Sequence, residues 1–436
     1  GLVKMGDNFF TSISDMDSVN FADIEVDPYW NVGDNKESKM HSIHAYPAKF
    51  PAFIAEKSID YYFKYNKKLT CISDIFCGCG TVALVARKHN IDFWGCDINP
   101  VATLIAKTKS NNYSIKTLKS YYRKLLQQIN EITINEKSYE DANERLRYWF
   151  SKEQYLELNR IKEAIDRLSK SKYQDAFLCV FSSILKPTSR WLTKSIKPQV
   201  DPNKKTINPI KAFCAAAEKF IRIIEQEQTP NDAKISIYNC NFLSKKTYPE
   251  VDLIITSPPY VTSYEYADLH QLSTLWLGYV DDYKELRKGT IGSVYNSETY
   301  YFEIMHLNST AKRIVEQLCK NRNVGKAKAK SVARYFIDMQ NSAERCYKML
   351  SPHGIACFVI GDTEYKNIRI ENAKHLVESL LSSGFAKVKV SKRIISNKTL
   401  SPYRDVNGKF SSDATKRKVY HEEYVVIAHK GTEGKT

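Results

Sequence analysis

The 436-residue chain lacks any apolar run approaching the roughly 20 residues that a membrane-spanning helix needs. Gly1 to Lys4 precede Met5 and resemble a cloning remnant. No signal-peptide pattern follows them. Internal repeats and low-complexity tracts are also missing. With 43% hydrophobic and 26% charged residues, the composition is that of a soluble globular protein long enough for two or three domains.

Paired cysteine motifs are absent as well. The ten cysteines form no C-x-x-C knuckle of the kind that binds zinc. Cys71, Cys77, Cys79 and Cys96 do lie close in sequence, but Cys77 and Cys79 fall within a glycine turn. We therefore expect no metal site, and scattered thiols fit a reducing cytosol.

Acidic residues are the minority among the charged ones. Lys and Arg number 65 against 49 Asp and Glu, which gives a net charge of +16 and a pI near 9.1. A basic face attracts phosphates and releases their counterions. The balance indicates a polyanionic partner, although charge alone does not separate DNA from RNA.

Strand and helix signals divide the chain into four segments. Residues 1–40 form a polar extension, and 41–112 contain a helix followed by a β-α-β unit. Residues 113–232 show apolar residues at three- and four-residue spacing, which predicts a helical insert interrupted by a Pro-rich basic loop. Strand signals return in 233–436, around a basic insertion at about 280–335.

The strand pattern predicts the sheet. Five or more strand segments linked largely by helices are typical of an open, mostly parallel α/β sheet. The last two segments, AKVKVSKRI and EEYVVIAHK, are joined by a polar excursion from Ser396 to His421 without a convincing helix. This connection predicts an antiparallel closing pair.

A glycine turn follows the first strand of the β-α-β unit. Asp74 stands before Gly78-x-Gly80, and Asp97 ends the next strand, where a carboxylate can accept both hydroxyls of a ribose. The turn with Ala83 also matches the fingerprint of nicotinamide dinucleotide enzymes. Asp74 favours a different ligand, because a carboxylate there suits an amino-acid ammonium and would repel a pyrophosphate.

A proline-stiffened loop follows a later strand, VDLII. Its sequence is Thr256-Ser257-Pro258-Pro259-Tyr260, and the two prolines hold it extended and deny it further strand pairing. The loop can direct Ser257 Oγ and a backbone carbonyl at one amino group, and Tyr260 offers a face for a base extruded from a duplex. Ligands of open α/β sheets bind at the carboxyl ends of the strands, so we expect both motifs to face one cleft.

These segments resemble the amino-type DNA methyltransferases, which form N4-methylcytosine or N6-methyladenine. DIFCGCG is similar to their motif I, GCDINP to motif II, TSPPY to motif IV and HAYPAKFP to motif X. YVTSYEYADLHQLSTLWLG and VIGDTEY resemble segments that follow motif IV in DNA methylases. The likeness covers roughly residues 41–112 and 233–430. It implies a Rossmann-like class I methyltransferase fold with a seven-stranded sheet, S-adenosylmethionine as cofactor and double-stranded DNA as partner.

The resemblance also implies roles for particular residues. In 41–112, the cofactor half, the cofactor would be held by Asp74, Phe76, Gly78, Gly80, Asp97 and Ile98, and by Tyr46, Lys49 and Phe50 from motif X. In 233–436, the target-base half, the base would be held by Ser257, Pro258, Pro259 and Tyr260. The third strand ends in Asn239-Cys-Asn241-Phe242, where relatives usually place an acidic residue near the adenine of the cofactor. Asn241 could substitute through its side-chain oxygen.

The sequence also bears on which base is methylated. Methylation at C5 of cytosine needs a nucleophilic thiol, which that family carries in a Pro-Cys pair, and no proline here precedes a cysteine. Serine in the first position after Thr256 is, by resemblance, commoner among N4-cytosine enzymes, whereas Asp or Asn is commoner among N6-adenine enzymes. We therefore expect a site-specific N4-cytosine enzyme, with N6-adenine as the alternative.

Further alternatives are an RNA amino-methyltransferase on the same fold, a nicotinamide-dependent oxidoreductase, and a non-catalytic nucleic-acid-binding protein. The expected setting is the bacterial cytoplasm, in association with the nucleoid, as part of a restriction-modification system or as an orphan enzyme. A cognate restriction endonuclease is a possible partner, and the oligomeric state is open. Two basic segments are candidates for phosphate contact, one in the helical insert and one in the basic insertion. They comprise Arg190, Lys194, Lys197, Lys204 and Lys205, and Lys326, Lys328, Lys330 and Arg334.

Overall fold

The fold is known from a computed structural model. It describes residues 9–33, 36–47, 49–260, 266–287, 304–395, 403–404, 410–411, 417–419 and 422–432. Part of the stretch after TSPPY, residues 288–303 of the basic insertion and most of the polar excursion between the last two strands lie outside the described residues.

Thirteen strands form two sheets within the described ranges. In chain order they are β1 (Phe9–Phe10), β2 (Cys71–Asp74), β3 (Asp92–Asp97), β4 (Ile235–Asn239), β5 (Val251–Thr256), β6 (Leu350–Ile360), β7 (Thr363–Tyr365), β8 (Ile368–Ile370), β9 (Lys387–Ile394), β10 (Tyr403–Arg404), β11 (Phe410–Ser411), β12 (Arg417–Val419) and β13 (Glu422–His429). The smaller sheet runs β11-β10-β12-β7-β8.

The larger sheet has the order β1-β9-β13-β6-β5-β2-β3-β4. Strands β4, β3, β2, β5 and β6 are parallel, and β13 lies antiparallel between β6 and β9. The mostly parallel α/β sheet and the antiparallel closing pair are therefore confirmed. The sheet has an eighth strand beyond the seven expected, because β1 pairs with the outer edge of β9.

Helices connect the strands and cover the sheet. In chain order they are α1 (Ile13–Asp17), α2 (Ala52–Tyr65), α3 (Thr81–Lys88), α4 (Pro100–Ser110), α5 (Ile115–Glu131), α6 (Lys137–Glu140), α7 (Glu144–Trp149), α8 (Lys152–Asp166), α9 (Lys172–Ser183), α10 (Leu185–Thr188), α11 (Pro209–Glu227), α12 (Tyr266–Leu269), α13 (Gln271–Trp276), α14 (Ser309–Lys320), α15 (Lys326–Met349) and α16 (Asn372–Ser383). Of these described helices, none is both long enough and apolar enough to cross a membrane.

The helices between β3 and β4 have a core of their own. Side chains from α5, α7, α8, α9 and α11 bury one another around Trp149, Trp191 and Phe213. Trp276 of α13 joins this cluster, which attaches the helical segment to the chain that follows β5. The domain boundaries inferred from the sequence stay a prediction.

The polar first segment packs against the sheet edge. Met16, Phe21 and Trp30 are buried, and the N–H of Asp27 donates to the carbonyl of Lys392 over 2.8 Å. Val26 forms an isolated parallel bridge with Lys392 of β9. Residues 9–33 thus extend the large sheet and bury part of its closing pair.

Candidate active site

One cavity opens at the carboxyl ends of β2, β3, β4 and β5. It receives side chains from the glycine turn, from the upstream HAYPAKFP stretch and from the TSPPY loop. Its lining comprises Tyr46, Lys49, Phe50, Asp74, Ile75, Phe76, Cys77, Gly78, Cys79, Thr81, Asp97, Ile98, Cys240, Asn241, Phe242, Ser257, Pro258, Pro259 and Tyr260. The structure therefore brings together every predicted cofactor and target-base residue except Gly80.

Asp74 is a buried carboxylate at the end of β2. Its Oδ1 accepts hydrogen bonds from Thr256 Oγ1 over 2.6 Å and from the N–H of Phe76 over 3.1 Å. Burial raises the pKa of Asp74 to about 7, against the lowering effect of the two hydrogen bonds, and nearby Asp97 raises it further. A cationic ligand in the cavity would stabilise the ionised form of this carboxylate.

Asp97 ends the neighbouring strand and organises the glycine turn. Its Oδ2 accepts from the N–H of Gly78 over 3.0 Å, and its Oδ1 accepts from the N–H of Asn99 over 2.9 Å. Burial raises the pKa of this carboxyl too, while the two backbone hydrogen bonds lower it. Each oxygen retains acceptor capacity for a hydroxyl ligand.

The two glycines of the turn have different structural roles. Gly78 has φ of +49° and lies against the ring of Tyr46, where an added Cβ would stand 3.5 Å from Cε1. Gly80 is the N-cap residue that precedes α3, with φ of +84°, and a Cβ there would fall 2.6 Å from Cα of Ala106. Gly80 therefore permits close packing of α3 on α4 and does not itself line the cavity.

The upstream stretch supplies an aromatic and a cationic side of the cavity. The Tyr46 ring stacks on His270, with centroids 5.4 Å apart and planes at 21°. Lys49 donates a hydrogen bond from Nζ to the carbonyl of His41. Burial lowers the pKa of Lys49, and the ammonium of Lys109 lowers it further.

The TSPPY loop is anchored to β6. Ser257 Oγ donates to the carbonyl of Val359 over 3.0 Å, so its lone pairs remain to accept from another donor. Pro258 is buried, and Tyr260 directs its hydroxyl at Oε2 of Glu423 at 3.4 Å. Burial and the Glu423 carboxylate raise the pKa of the Tyr260 phenol well above its usual range.

Asn241 lines the cavity beside Phe242. Its side-chain oxygen accepts from the N–H of Leu243 over 2.9 Å and caps the short turn that follows β4. The Phe242 ring lies edge-on to Phe76, with centroids 6.5 Å apart. The predicted contact between Asn241 and an adenine would therefore use the remaining acceptor capacity of the same oxygen.

The two basic segments lie apart from the cavity lining. Lys204 donates from Nζ to the carbonyls of Lys186 and Trp191 over 2.8 and 2.6 Å, and burial lowers its pKa. Arg190 donates to the carbonyl of Tyr148 over 3.3 Å. In α15, Lys328 lies 4.7 Å from the ring centre of Tyr365 and Arg334 pairs with Asp338 over 3.4 Å.

Several residues of the site had no role in the sequence interpretation. Thr256 belongs to the TSPPY motif, and its bond to Asp74 follows from the pairing of β2 with β5. Glu423 and Gly361 both border the Tyr260 ring, although they come from β13 and from the chain after β6. Within the described ranges, no group of three or more His, Cys, Asp or Glu is placed to hold a metal.

The fold and this cavity define a Rossmann-like methyltransferase. The chain belongs to the DNA methylase family of N6 and N4 amino-methyltransferases, whose family model matches residues 12–108 and 251–436. It is similar to the Type II methyltransferase M.MvaI of Kocuria varians, with 24% identity over 368 residues, 77% of this chain and 80% of the relative. It is also similar to the Type II methyltransferase M.BsoBI of Geobacillus stearothermophilus, with 25% identity over 302 residues, 59% of this chain and 56% of the relative.

Among solved structures, the rRNA methyltransferase aviRa from Streptomyces viridochromogenes aligns with 92% of this chain and 96% of its own. The sequence identity is 8% and the TM-score is 0.29. A likeness this distant supports no inference about the substrate.

Proposed function

We propose that the protein uses S-adenosylmethionine to methylate the N4 amino group of a cytosine extruded from double-stranded DNA. The observation that carries the proposal is the hydrogen bond from Ser257 Oγ to the carbonyl of Val359. It commits the hydroxyl proton to the protein backbone and leaves the oxygen as an acceptor at the cavity wall. An exocyclic amine is the matching donor.

The residues of the cavity fit the cofactor. Asp74 is a buried carboxylate suited to the ammonium of its methionine part, and Lys49 is a cation suited to its carboxylate. Asp97 would accept the ribose hydroxyls, while Phe76 and Phe242 form an apolar wall. When bound, S-adenosylmethionine would supply an electrophilic methyl group on its sulfonium for transfer to the amine nitrogen.

The chain's own residues would prepare the amine. Its lone pair is delocalised into the base ring and is a poor nucleophile in that state. Hydrogen bonds from the amine to Ser257 Oγ and to the Pro258 carbonyl would draw the nitrogen toward a tetrahedral shape. Because the prolines and the anchor to Val359 hold the loop, catalysis would rest mainly on positioning.

The preference for cytosine over adenine rests on the neutral serine acceptor. By family resemblance, serine after Thr256 is commoner in N4-cytosine enzymes, whereas a carboxylate or amide is commoner in N6-adenine enzymes. Both relatives named above are Type II methyltransferases, which agrees with a DNA substrate. We also propose that the protein acts in the bacterial cytoplasm. It would belong to a restriction-modification system with a cognate endonuclease.

The net charge of +16 supports a phosphate backbone as partner. The helical segment and α15 are the candidate DNA contacts, with Arg190, Lys194, Lys197, Lys204 and Lys205 in the first, and Lys326, Lys328, Lys330 and Arg334 in the second. The ammonium of Lys204 donates to two backbone carbonyls, so fewer of its protons remain for a phosphate.

The decisive experiment uses tritiated S-adenosylmethionine with duplex DNA and, in parallel, with RNA. The nucleic acid is digested and the labelled nucleoside is identified by chromatography. Label in N4-methyldeoxycytidine supports the proposal. Label in N6-methyldeoxyadenosine would replace the base, and label confined to RNA would replace the substrate.

A further inference from the structure

A buried ion pair contacts the TSPPY loop through Tyr260. Glu423 of β13 and Arg393 of β9 oppose one another across the two strands, and their charged groups are joined by a hydrogen bond. The side chain of Arg393 is 3% exposed and that of Glu423 is 11% exposed. A buried ion pair is often no more stabilising than apolar residues of the same volume. Stability alone is therefore a weak explanation for its presence.

The second carboxylate oxygen of Glu423 faces the site. Oε1 pairs with Arg393, and Oε2 accepts from the hydroxyl of Tyr260 at 3.4 Å. On the other side, Gly361 leaves room for the same ring, since a Cβ there would stand 3.0 Å from Tyr260 Cε1. The ring thus contacts a glycine and a carboxylate, and Tyr260 is also among the residues that line the cavity.

Arg393 is also held by a residue near the N-terminus of the chain. Its Nε donates to the carbonyl of Trp30 over 2.9 Å, and Trp30 is 2% exposed. The next residue, Asn31, accepts from the N–H of Ile394 through its side-chain oxygen over 2.8 Å. A continuous line of contacts therefore runs from Trp30 through Arg393 and Glu423 to Tyr260.

We propose that Glu423 is a positioning residue for Tyr260, held in place by Arg393 and the Trp30 carbonyl. This proposal rests on the proposed function and on the expectation from the sequence that Tyr260 offers a face to the extruded base. An aromatic ring linked to the backbone through two rotatable bonds can leave its stacking position when nothing holds its hydroxyl. The Glu423 carboxylate fixes that end and so limits the ring to the orientation a base requires.

The test is a mutant cycle that separates positioning from folding. Tyr260→Phe removes the hydroxyl and keeps the ring. Arg393→Met with Glu423→Met removes both charges together, because deleting Glu423 alone would leave a buried cation that could prevent folding. The third protein combines all three substitutions. For each, kcat and KM for DNA, the cofactor dissociation constant and the melting temperature are measured.

Tyr260→Phe and the paired charge removal are each expected to lower kcat by about tenfold, with cofactor affinity unchanged. The triple variant should be no slower than the slower of the two, because both changes disable the same contact. Combining Arg393→Met with Glu423→Gln should recover most of the activity, since the glutamine amide can still donate to the Tyr260 oxygen and no buried cation is left without its counter-charge. Multiplying effects in the triple variant, or normal kcat in Tyr260→Phe, would overturn the positioning role.

A matched control is available on the same strand. Glu422 pairs with Lys392 over 3.4 Å, one residue from Glu423. Glu422→Gln should leave kcat and KM for DNA at their normal values. If the unaltered protein methylates no amino group in DNA, the proposed function and the positioning role both fall. Normal activity with independent variant effects removes only the positioning role.

Discussion

The hydroxyl of Thr256 donates a 2.6 Å hydrogen bond to Oδ1 of Asp74. Thr256 ends β5 and Asp74 ends β2, and these strands are parallel neighbours in the sheet. The bond ties the start of the TSPPY loop to the carboxylate that we propose binds the cofactor ammonium. A displacement of either strand end would therefore stretch or break this hydrogen bond.

Cofactor binding should depend on pH through Asp74. Burial raises its pKa to about 7, so the carboxyl is protonated below that value and an ammonium ligand loses its counter-charge. Affinity should fall as pH drops through about 7, by up to about tenfold per unit. Calorimetric titration across this range measures it. Asp74→Asn should bind weakly with a flat profile, and a flat profile in the unaltered protein would contradict the role.

Thr256→Val keeps the side-chain volume and removes the hydroxyl donor. Asp74 then keeps only the Phe76 N–H bond, so its pKa should rise further and the pH midpoint of cofactor binding should move upward. At neutral pH we expect affinity to fall by about three- to tenfold. The control is Thr108→Val, which removes an equally buried hydroxyl that bonds the carbonyl of Leu104. An equal loss in both variants would make the Thr256 effect a general packing defect.

Ser257→Ala should separate binding from catalysis. The oxygen that would accept from the amine is lost, so kcat should fall by about a hundredfold while the cofactor dissociation constant changes less than about twofold. Single-turnover methylation and calorimetry measure the two quantities. Ser58→Ala provides the control, since Ser58 also donates to a backbone carbonyl, that of Ile54, but lies in α2. Retained methyl transfer in Ser257→Ala would exclude this serine as the acceptor.

Asp97→Ala should weaken cofactor affinity by at least about tenfold, because it removes the proposed ribose acceptor and releases the N–H of Gly78. Asp92→Ala is the comparison, since Asp92 lies at the opposite end of β3 and accepts from the N–H of Lys234 over 2.8 Å. Asp97→Ala loses two backbone hydrogen bonds and Asp92→Ala loses one, but only Asp97 lines the cavity. Equal affinity in the two would argue against a ribose contact.

Sequence periodicity and motif order predicted the sheet class, the closing pair and a shared cleft, because these follow from local signals and from the rule that ligands bind at strand ends. The role of Gly80 was harder to predict. A glycine in a turn can approach a ligand or a helix, and only packing shows that Ala106 occupies the space beside it. The strand Phe9–Phe10 is two residues long and carries no period.

The Glu423 contact lies beyond local reasoning for a similar reason. Tyr260 and Glu423 are 163 positions apart, and their proximity depends on β13 entering between β6 and β9. Neither residue stands in a pattern that links it to the other. Which side chains meet across the sheet depends on strand order and register. For strands this far apart in the chain, a single sequence does not give either one.

Gly361→Ala tests whether the Tyr260 ring must lie where it does. Gly361 has ordinary backbone geometry, so alanine adds volume without strain, and its methyl would stand 3.0 Å from Cε1 and 3.1 Å from the hydroxyl of Tyr260. The ring must then shift by a few tenths of an ångström. We expect kcat to fall and KM for DNA to rise, by about three- to tenfold each, with cofactor affinity preserved. Gly325→Ala is the matched control, because nothing lies within 4 Å of a Cβ at that position. Equal kinetics in the two variants would mean that the position of the Tyr260 ring plays no part in base recognition.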